Sequence, residues 1–416
     1  MKIERCDALV LGAGPAGSTA AALLAESGHE VVVLERERFP RYRVGESLIP
    51  HCWFPLHRLG LVERLDASGF VVRKHSVQFV STDGERARPF YFARHSDHPS
   101  SRTWQVARGP FDSMLVENAI EKGARVEHGA AARELLHDGQ AVRGVRAAWC
   151  DGGERELHAP ITIDATGRDA FAQSRLRWRV PDADLRKFAI WTYYRGALRD
   201  PGIDEGATTI AYLPEKGWFW YIPQSEDRVS VGVVAERDYL YRGTRDPASI
   251  FEREVGLQPW IERHLACGRQ TGEHFVTSDF SYRARHCACD GLVLVGDAFA
   301  FLDPVFSSGV YLALQSGALA ADAAHEALAA GDAAAVRFAA YGERMRREIE
   351  NMRRLVHAFY DPAFRFSTFL KAHPDLGDDV TDCLIGNLDR DFHALFTTMK
   401  AYAAIPEPLA HGGPLA

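Results

Sequence analysis

Two apolar runs enclose a segment of helix-forming residues in the first part of the chain. Ala8 to Leu11 is apolar without interruption, which is typical of a strand buried on both faces of a sheet. Small helix-forming residues follow from Ala16 to Glu26, Gly28 ends them, and Val31 to Leu34 is a second, β-branched run. The pattern predicts a strand, a helix and a strand in that order, which is a βαβ unit.

Similar apolar runs return much later in the chain. Ile161 to Ala165 and Gly291 to Val295 are each followed closely by a glycine, and we expect both to be buried strands of the same sheet. Apolar residues at helical spacing predict a helix over Phe111 to Lys122. Runs of alternating character predict a small antiparallel meander over 125–128, 133–137, 141–149 and 154–158.

Residues 74–104 and 185–280 differ in composition from the rest of the chain, because they are rich in aromatic residues and threonine. Alternating runs there predict a largely antiparallel sheet with one face toward a pocket. The alternating runs are Phe188 to Tyr194, Thr208 to Leu213, Trp218 to Ile222 and Val229 to Val234. From about residue 308 onward the pattern is mainly helical.

Two expectations concern the C-terminal part of the chain. Tyr341 to Phe359 carries five arginines among glutamates. Mixed charge on a helix is typical of a solvent-exposed face, and docking of an acidic partner is the alternative. Residues 405–416 are rich in proline, glycine and alanine, and we expect them to be poorly ordered.

Gly12, Gly14 and Gly17 stand at the spacing of a dinucleotide-binding turn, between the first predicted strand and helix. In such turns the first glycine permits a tight turn, the second a close approach to a pyrophosphate, and the third close packing of helix and strand. Ala16 lies in the same turn, where backbone N–H groups attract the pyrophosphate. Glu35 follows about 20 residues later, where an acid accepts from ribose hydroxyls. These signals together predict a bound dinucleotide.

A second glycine turn supplies further candidate contacts. Gly296 and Asp297 follow an apolar strand, and Asp297 can accept from sugar-like hydroxyls of the same cofactor. Ser308 and Gly309 precede a predicted helix over Val310 to Leu328. Backbone N–H groups at that helix start favour an anion, either the cofactor's ring edge or a halide, and an ordinary serine N-cap is the alternative.

Charged loops near the first βαβ unit form another group of candidates. Glu46 and Ser47 lie in a loop beside Arg43, and Arg36 directly follows the acid that ends the second strand. Arg108 lies ahead of the next predicted helix. Such side chains can fix the edge of a ring or bind phosphate, whereas an ordinary surface loop is the alternative.

Charge and composition exclude several classes of protein. The net charge of −7 disfavours a nucleic-acid binder, and no window approaches the roughly 18 apolar residues that span a bilayer. Seven scattered cysteines are typical of a reducing cytoplasm rather than of a disulfide framework. Cys287 and Cys289 stand one residue apart without a second pair, so we expect no metal site.

Several longer motifs extend this picture. They are GAGPAGS, FPRYRVGESLIP, Arg108-x-x-Phe111-Asp112, DATGR at 164–168, GWFWYIP at 217–223 and GDAFAFLDPVFSSGV at 296–310. Together they resemble the flavin-dependent halogenases, most closely the branch that acts on phenols and pyrroles. The resemblance runs to about residue 330, and more loosely to about 370. WFWYIP and DPVFSSG are its most specific parts, since the glycine motifs occur across many flavin monooxygenases.

The resemblance implies an α/β fold of the p-hydroxybenzoate-hydroxylase type, with a Rossmann-like FAD-binding domain, an interleaved antiparallel β-sheet substrate domain and a helical C-terminal region. We predict the FAD-binding domain over 1–73, 105–184 and 281–335, the substrate domain over 74–104 and 185–280, and the helical region over 336–416. The matching motifs add Asp164, Gly167 and Pro304 to the candidate FAD contacts named above.

The resemblance also implies a reaction. In that family reduced FAD and dioxygen oxidise chloride or bromide to hypohalous acid, and a separate flavin reductase supplies the reduced flavin. One dinucleotide fingerprint is visible in this chain, which favours reduction by a partner, with NAD(P)H as the alternative. The halide site matches Ser308 and Gly309, and the tryptophans thought to keep substrate off the flavin match Trp218 and Trp220.

A lysine outside the flavin pocket directs halogenation in that family, and it matches Lys74 here. A lysine in a low-dielectric pocket can lose its proton and attack electrophilic halogen. The family usually has a Gly-Ala pair next, whereas this chain has His75-Ser76. That departure leaves two alternatives open: Lys74 as an ordinary surface lysine, and His75 as a general base for a phenol.

The substrate is expected to be a small electron-rich aromatic, either free, tethered to a carrier protein or within a peptide. Hydroxylation or dehydrogenation on the same scaffold is the alternative activity, and a non-catalytic flavin-binding protein is a third interpretation. The aromatic candidates for lining the pocket are Phe79, Phe90, Tyr91, Trp104, Trp191, Tyr193 and Phe306.

Overall fold

Strands from separated parts of the chain build one mainly parallel sheet. In the computed structural model, which describes residues 2–215, 217–278 and 281–415, Ala8–Leu11 pairs in parallel with Val31–Glu35 and with Ile161–Asp164. Arg125–His128 extends the sheet beyond Val31–Glu35, and Leu292–Leu294 extends it beyond Ile161–Asp164. The predicted apolar runs are buried because helices or other strands cover both faces.

Two helices pack closely on this sheet through small residues. Pro15–Glu26 lies against Gly309–Ala329. At Gly317, a Cβ atom would stand 2.3 Å from the backbone oxygen of Ala16. The glycine therefore permits the backbones of the two helices to approach each other, which brings the first and the last cofactor motifs together.

The aromatic-rich segments form a second sheet, as predicted. Its neighbouring strands are antiparallel, except that Thr208–Tyr212 runs parallel to Ser76–Val80. Trp218 and Trp220 lie on one face, whereas Phe219 and Tyr221 pack in a separate hydrophobic core on the other. In order, the strands are Arg269–Ser278, Lys187–Arg195, Arg228–Glu236, Trp218–Gln224, Thr208–Tyr212, Ser76–Val80 and Phe90–Tyr91.

Smaller sheets and the helices complete the fold. The remaining strands are Lys2–Arg5, Val71–Lys74, Thr103–Val106, Ala130–Asp138, Ala141–Trp149, Glu154–His158, Arg179–Pro181, Tyr282–Ala284, Ala288–Cys289 and Ala300–Phe301. The remaining α-helices are Trp53–Arg58, Val62–Asp66, Arg108–Glu121, Phe171–Arg175, Arg237–Leu240, Pro247–Val255, Pro259–Leu265, Ala339–Tyr360, Phe366–Ala372, Gly377–Ile385 and His393–Met399. Within the described residues, the helices are too short or too polar to cross a membrane.

The C-terminal part departs from the expectations in two ways. Glu348, Glu350 and Arg353 on the helix Ala339–Tyr360 are buried, so the prediction of a solvent-exposed charged face was wrong for this side of the helix. The segment 405–415 was expected to be poorly ordered but packs along the chain: Gly412 N donates to Arg285 O at 2.8 Å. Buried charges pair with one another and with this segment, which is the physical reason for both differences.

Candidate active site

Two large cavities within the described residues lie on either side of Trp218. The inner cavity has a volume of about 840 Å³ and lies at the carboxyl ends of the parallel strands. The outer cavity has a volume of about 1180 Å³ and lies between the second sheet and the C-terminal helices. Trp218 lines both cavities, so its indole forms part of the boundary between them.

The glycine-rich turn opens onto the inner cavity. Gly12 has φ +99°, and a Cβ on Gly17 would stand 1.9 Å from Gly12 O, so both glycines are required by the backbone itself. A Cβ on Gly14 would meet only the Arg41 guanidinium, at 3.5 Å. Gly14 is also the N-cap of the first helix and supplies no side-chain cap, so backbone N–H groups remain available to a ligand.

Glu35 is held at the edge of the inner cavity by backbone donors. Its Oε2 accepts from Ala13 N and its Oε1 from Glu37 N, both at 2.9 Å. Each carboxylate oxygen has a further lone pair, which a ribose hydroxyl can use. The predicted role of this acid therefore fits its geometry.

Arg108 organises the loop that carries Glu46 and Ser47. Its guanidinium donates to both carboxylate oxygens of Asp112, at 2.9 and 3.0 Å, and to Val44 O at 2.9 Å. Glu46 accepts from the Tyr193 hydroxyl at 2.7 Å. The candidates that line the inner cavity are Gly12, Gly14, Ala16, Glu35, Arg36, Arg43, Glu46, Ser47, Arg108, Gly167, Gly296, Asp297, Pro304, Gly309, Trp218 and Trp220.

Asp297 is a carboxyl group enclosed by protein at the inner cavity. Burial raises its pKa to about 6, although Arg168 and Arg108 act in the opposite direction. A hydroxyl-bearing ligand would restore the hydrogen bonds that burial removes from this group. The residue therefore suits the ribityl or ribose hydroxyls of a flavin dinucleotide.

Three predicted contacts do not line the inner cavity, namely Gly17, Asp164 and Ser308. The Asp164 carboxylate accepts from Thr166 Oγ1 at 2.6 Å and from Ala172 N at 2.7 Å, so it shapes the following turn instead. Ser308 is buried away from the cavity, whereas Ser307 lines it. Ser307 has φ +56°, a left-handed conformation that turns this residue, rather than its neighbour, toward the cavity.

The inner cavity fits FAD. It combines a glycine cradle at a helix N-terminus, an acid at a strand end, a second buried acid and several arginines in one space. Its volume of about 840 Å³ lies within the usual range for cofactor sites. At one end Pro304 and Ser307 precede a long helix that begins at Gly309, where N–H groups can receive an anion.

The tryptophans of the WFWYIP motif line the inner cavity side by side. The ring centroids of Trp218 and Trp220 are 6.2 Å apart, and Trp191 lies 6.2 Å from Trp220. Trp220 Nε1 donates to Ser230 Oγ at 3.1 Å, and Trp218 Nε1 donates to Tyr360 OH at 2.8 Å. Each indole N–H thus has one hydrogen-bond acceptor.

Lys74 is buried and lines neither of the two cavities. Its Nζ donates to Ser47 Oγ at 2.9 Å and to Leu48 O at 3.0 Å. Ser47 lines the inner cavity, and the Phe92 ring, 5.6 Å from Nζ, belongs to a segment that borders the outer cavity. Burial lowers the pKa of Lys74 to about 7, against an opposing effect of the Cys52 thiol. The alternative of an ordinary surface lysine was therefore wrong.

His75, the neighbour of Lys74, is half-buried and borders neither cavity. Burial, followed by Arg102 and Arg73, lowers the pKa of His75 below its usual value. His75 lies between the strands Val71–Lys74 and Ser76–Val80. The geometry does not support His75 as a base at either cavity.

The outer cavity has an aromatic lining and includes a lysine that the sequence analysis did not single out. Phe79, Phe90 and Tyr91 border it as expected, whereas Trp104 is buried in the core away from both cavities. Trp191 borders the inner cavity instead. Lys187 Nζ lies 4.3 Å from the centroid of the Tyr360 ring and 3.5 Å from Glu236 Oε1.

No local pattern could have identified Lys187, because the residues that surround it lie far away in sequence. Tyr193 and Phe306 complete the set of aromatic candidates. Tyr193 is buried and donates to Glu46, and Phe306 packs beneath the outer cavity against Phe359, with ring centroids 5.7 Å apart.

These features define an FAD-dependent oxidoreductase whose cofactor cavity is separated from an aromatic-lined second cavity. A family model for tryptophan halogenase matches residues 7–99 and 85–372. The chain belongs to this family of flavin-dependent halogenases, which use FAD, dioxygen and a halide.

Individual relatives agree with this assignment. A 1H-pyrrole-2-carbonyl-[peptidyl-carrier protein] brominase of Pseudoalteromonas luteoviolacea is 32% identical over 329 residues, 78% of this chain and 79% of the relative. The corresponding chlorinase of Pseudomonas fluorescens is 30% identical over 409 residues, 92% and 89% of the two chains. The solved structure of the flavin-dependent brominase Bmp2 superposes with a TM-score of 0.86 at 28% identity, covering 95% of this chain and 98% of that one.

Proposed function

We propose that the protein halogenates an electron-rich aromatic ring, a pyrrole or a phenol, through the amine of Lys74. The observation that carries this proposal is the position of Lys74, whose amine contacts Ser47 at the inner cavity and Phe92 beside the outer one. When bound and reduced, FAD supplies with dioxygen the oxidising power that converts a halide to hypohalous acid. The residues of the chain bind the halide, pass on the halogen and keep the ring apart from the flavin.

The halide binds at the start of the helix Gly309–Ala329. Ser307 and Gly309 border the inner cavity there, and the backbone N–H groups at the helix N-terminus attract an anion. Val305 N and Ser307 N already donate within the loop, to Asp303 Oδ1 and Pro304 O, so the proposed donors to the ion lie at the helix start from Gly309 onward. Ser307 replaces Ser308 in this proposal because it is the one that faces the cavity.

Lys74 receives the halogen. With a pKa of about 7, a large fraction of its amine is neutral at physiological pH and has a free electron pair. Attack of Nζ on hypohalous acid forms an N–halogen bond and releases water. The ring then attacks this halogen, a carbon–halogen bond forms, and the displaced ring proton returns to the amine. Lys187 is a poor candidate for this step, because its amine already contacts Glu236 Oε1 at 3.5 Å and the Tyr360 ring at 4.3 Å.

The ring is proposed to bind on the outer side of Trp218. Phe79, Tyr212 and Phe366 offer flat apolar contacts there, and the indole stands between the ring and FAD. The two relatives named above act on a pyrrole-2-carbonyl group held by a peptidyl carrier protein, which supports a carrier-bound substrate. A separate flavin reductase is the proposed source of electrons, and the free thiols of all seven cysteines support a reducing cytoplasm as the place of action.

The direct test supplies purified protein with FAD, a flavin reductase, NADH, air and bromide. Phenols, free pyrrole-2-carboxylate and pyrrole-2-carbonyl carrier protein are offered in parallel, and products are analysed by mass spectrometry. We expect bromine to replace hydrogen on at least one ring. Gain of one oxygen, or loss of two hydrogens, in place of bromine would instead identify a hydroxylase or a dehydrogenase.

Lys74→Ala separates the halogenation step from the oxidation of the flavin. We expect it to reduce ring halogenation at least about a thousandfold, because the attacking amine is gone, while peroxide is still released. Lys187→Ala is the matched control and should halogenate at a rate within a few-fold of the unmodified protein. Halogenation that survives Lys74→Ala but is lost with Lys187→Ala would assign the role to the other lysine.

A further inference from the structure

A chain of buried hydrogen bonds leads from the Trp218 indole into the loop that precedes the proposed halide site. Trp218 Nε1 donates to Tyr360 OH at 2.8 Å, and Tyr360 OH donates to Asp303 Oδ2 at 2.9 Å. The other oxygen of Asp303 accepts from Val305 N at 3.1 Å. Tyr360 lies at the end of the helix Ala339–Tyr360, so this series of hydrogen bonds connects three separate elements.

Each side chain in this series has a polar group that depends on the neighbouring side chain for a hydrogen bond. The indole N–H is the only donor of Trp218, whose side chain is 2% exposed, and Asp303 is 1% exposed. A buried N–H group without an acceptor costs about 1–3 kcal/mol, which exceeds the net gain from an ordinary hydrogen bond. If Tyr360 offered no acceptor, the indole would favour another rotamer that reaches one.

Space for such a rotation exists only because of where Trp218 lies. Its indole borders the inner cavity on one side and the outer cavity on the other. In a close-packed core, neighbouring side chains would prevent the rotation, whereas an indole between two cavities can turn into either of them. Packing alone therefore does not determine its position.

We propose that Tyr360 and Asp303 are positioning residues, which hold the Trp218 indole across the boundary of the two cavities. They thereby determine how much substrate is halogenated rather than oxygenated directly at the flavin. Asp303 acts through Tyr360, and neither residue is proposed to touch the reacting atoms. The inference rests on the proposed function for its effect on products, but the position of the indole is testable without catalysis.

The first measurement follows the indole itself. Protein labelled with ¹⁵N in tryptophan is transferred to D₂O, and the Nε1–H signal of Trp218 is assigned by its loss in Trp218→Phe. In Tyr360→Phe we expect this hydrogen to exchange about two- to tenfold faster, the range that corresponds to loss of one neutral hydrogen bond. An unchanged exchange rate would overturn the proposal whether or not the protein halogenates.

The second measurement is the product ratio of the FAD-loaded enzyme with its reductase. Tyr360→Phe should lower the ratio of halogenated to oxygenated ring by about two- to tenfold, and Asp303→Asn should lower it less because an amide still offers some hydrogen bonds. In a Trp218→Phe background, Tyr360→Phe should have no further effect, since the group it positions is absent. Equal ratios in Tyr360→Phe and the unmodified enzyme would overturn the inference.

Tyr221→Phe is the matched control. Tyr221 OH donates to Leu198 O at 2.6 Å, and its ring lies on the opposite face of the same strand as Trp218, away from both cavities. The control removes the same atom and a buried hydrogen bond, so it reports the cost of destabilisation alone. It should leave both the exchange of the Trp218 signal and the product ratio unchanged. A change as large as that of Tyr360→Phe would assign the effect to general destabilisation and contradict the proposal.

Discussion

At the scale of a single residue, Lys74 illustrates how burial selects a protonation state. Its two hydrogen bonds, to Ser47 Oγ and Leu48 O, use the amine as a donor and favour the charged form. Burial favours the neutral form and outweighs them, because the pKa of Lys74 falls from 10.5 to about 7. A pKa of about 7 leaves a large part of the amine neutral near pH 7, as the proposed role of Lys74 as a nucleophile requires.

The pH dependence of halogenation tests this property of Lys74. A lysine is reactive when deprotonated, so halogenation should rise with pH and level off above the pKa of about 7. The neutral fraction increases about tenfold between pH 6 and pH 8, and the rate of ring halogenation should follow it. Peroxide and trapped hypohalous acid, measured over the same range, separate this step from the flavin chemistry. A halogenation rate that is flat from pH 6 to 8, or falls, would contradict the assignment.

At the scale of an element, the helix Ala339–Tyr360 holds the C-terminal segment through a buried carboxylate. Glu350 accepts from Arg353 Nε at 2.9 Å, from Leu409 N at 3.0 Å and pairs with His411 Nε2 at 2.9 Å. These partners hold the pKa of Glu350 at about 2 despite the opposing effect of burial. The helix ends in Tyr360, so the same element connects this cluster to the boundary between the cavities.

Glu350→Gln should destabilise the protein in a pH-dependent way. The carboxyl group has a folded pKa of about 2 and an ordinary value of 4.5, so its charged form contributes about 3 kcal/mol to the free energy of unfolding above pH 4.5. That contribution is lost as the pH falls from 4.5 toward 2. Urea unfolding of both proteins at pH 7 and at pH 3 measures the difference, which should shrink at the lower pH.

Glu343→Gln is the control on the same helix. Glu343 pairs with Arg346, but its side chain is 57% exposed, and exposed ion pairs contribute little. We expect almost no change in the free energy of unfolding. An equal effect of the two substitutions would show that the buried cluster has no special role.

At the scale of the whole molecule, the FAD cavity joins residues that are far apart in sequence. The glycine turn, the loop with Glu46, the Gly167 turn and the Gly296–Asp297 turn all border the same space. A ligand that contacts all of them binds the folded protein and not the unfolded chain, and it therefore stabilises the fold as a whole.

Added FAD should raise the free energy of unfolding by about 2.7 kcal/mol at a concentration of 100 times its Kd. Thermal unfolding with and without FAD measures this shift, and riboflavin, which lacks the pyrophosphate, should produce little. Gly14→Ala is a matched variant: its new Cβ would meet only Arg41 at 3.5 Å, so the protein without FAD should keep its stability. The methyl group projects into the proposed pyrophosphate site, and the shift caused by FAD should fall. If FAD stabilised neither protein, the dinucleotide site would be wrong.

Much of the mainly parallel sheet could be predicted, because the sequence patterns that indicate its strands lie within a few neighbouring residues. Ala8–Leu11 has the predicted bounds, since an apolar run is visible within a few residues. Arg125–His128 also has the predicted bounds, but its place in an antiparallel meander was wrong, because it pairs in parallel with Val31–Glu35. The helix predicted over 111–122 begins earlier, at Arg108. Its first turn has no apolar spacing, and Arg108 instead pairs with Asp112 one turn further along the helix.

Other features could not be predicted because they depend on distant partners. The charges on Ala339–Tyr360 suggested a solvent-exposed face, but Glu350 is buried with a segment about sixty positions away along the chain. Ser307, rather than Ser308, borders the FAD cavity because of a left-handed backbone angle that no local pattern indicates. Lys187 borders the outer cavity only when its strand, Lys187–Arg195, has joined the second sheet.

The order of glycines, apolar runs and acids along the chain is enough to specify a dinucleotide site and its strands, because those interactions act between neighbouring residues of one βαβ unit. The division of the interior into two cavities has no such local basis. It depends on contacts such as the one between Trp218 and Tyr360, which are 142 positions apart. The burial that lowers the pKa of Lys74 likewise arises only when separate strands and loops close around it.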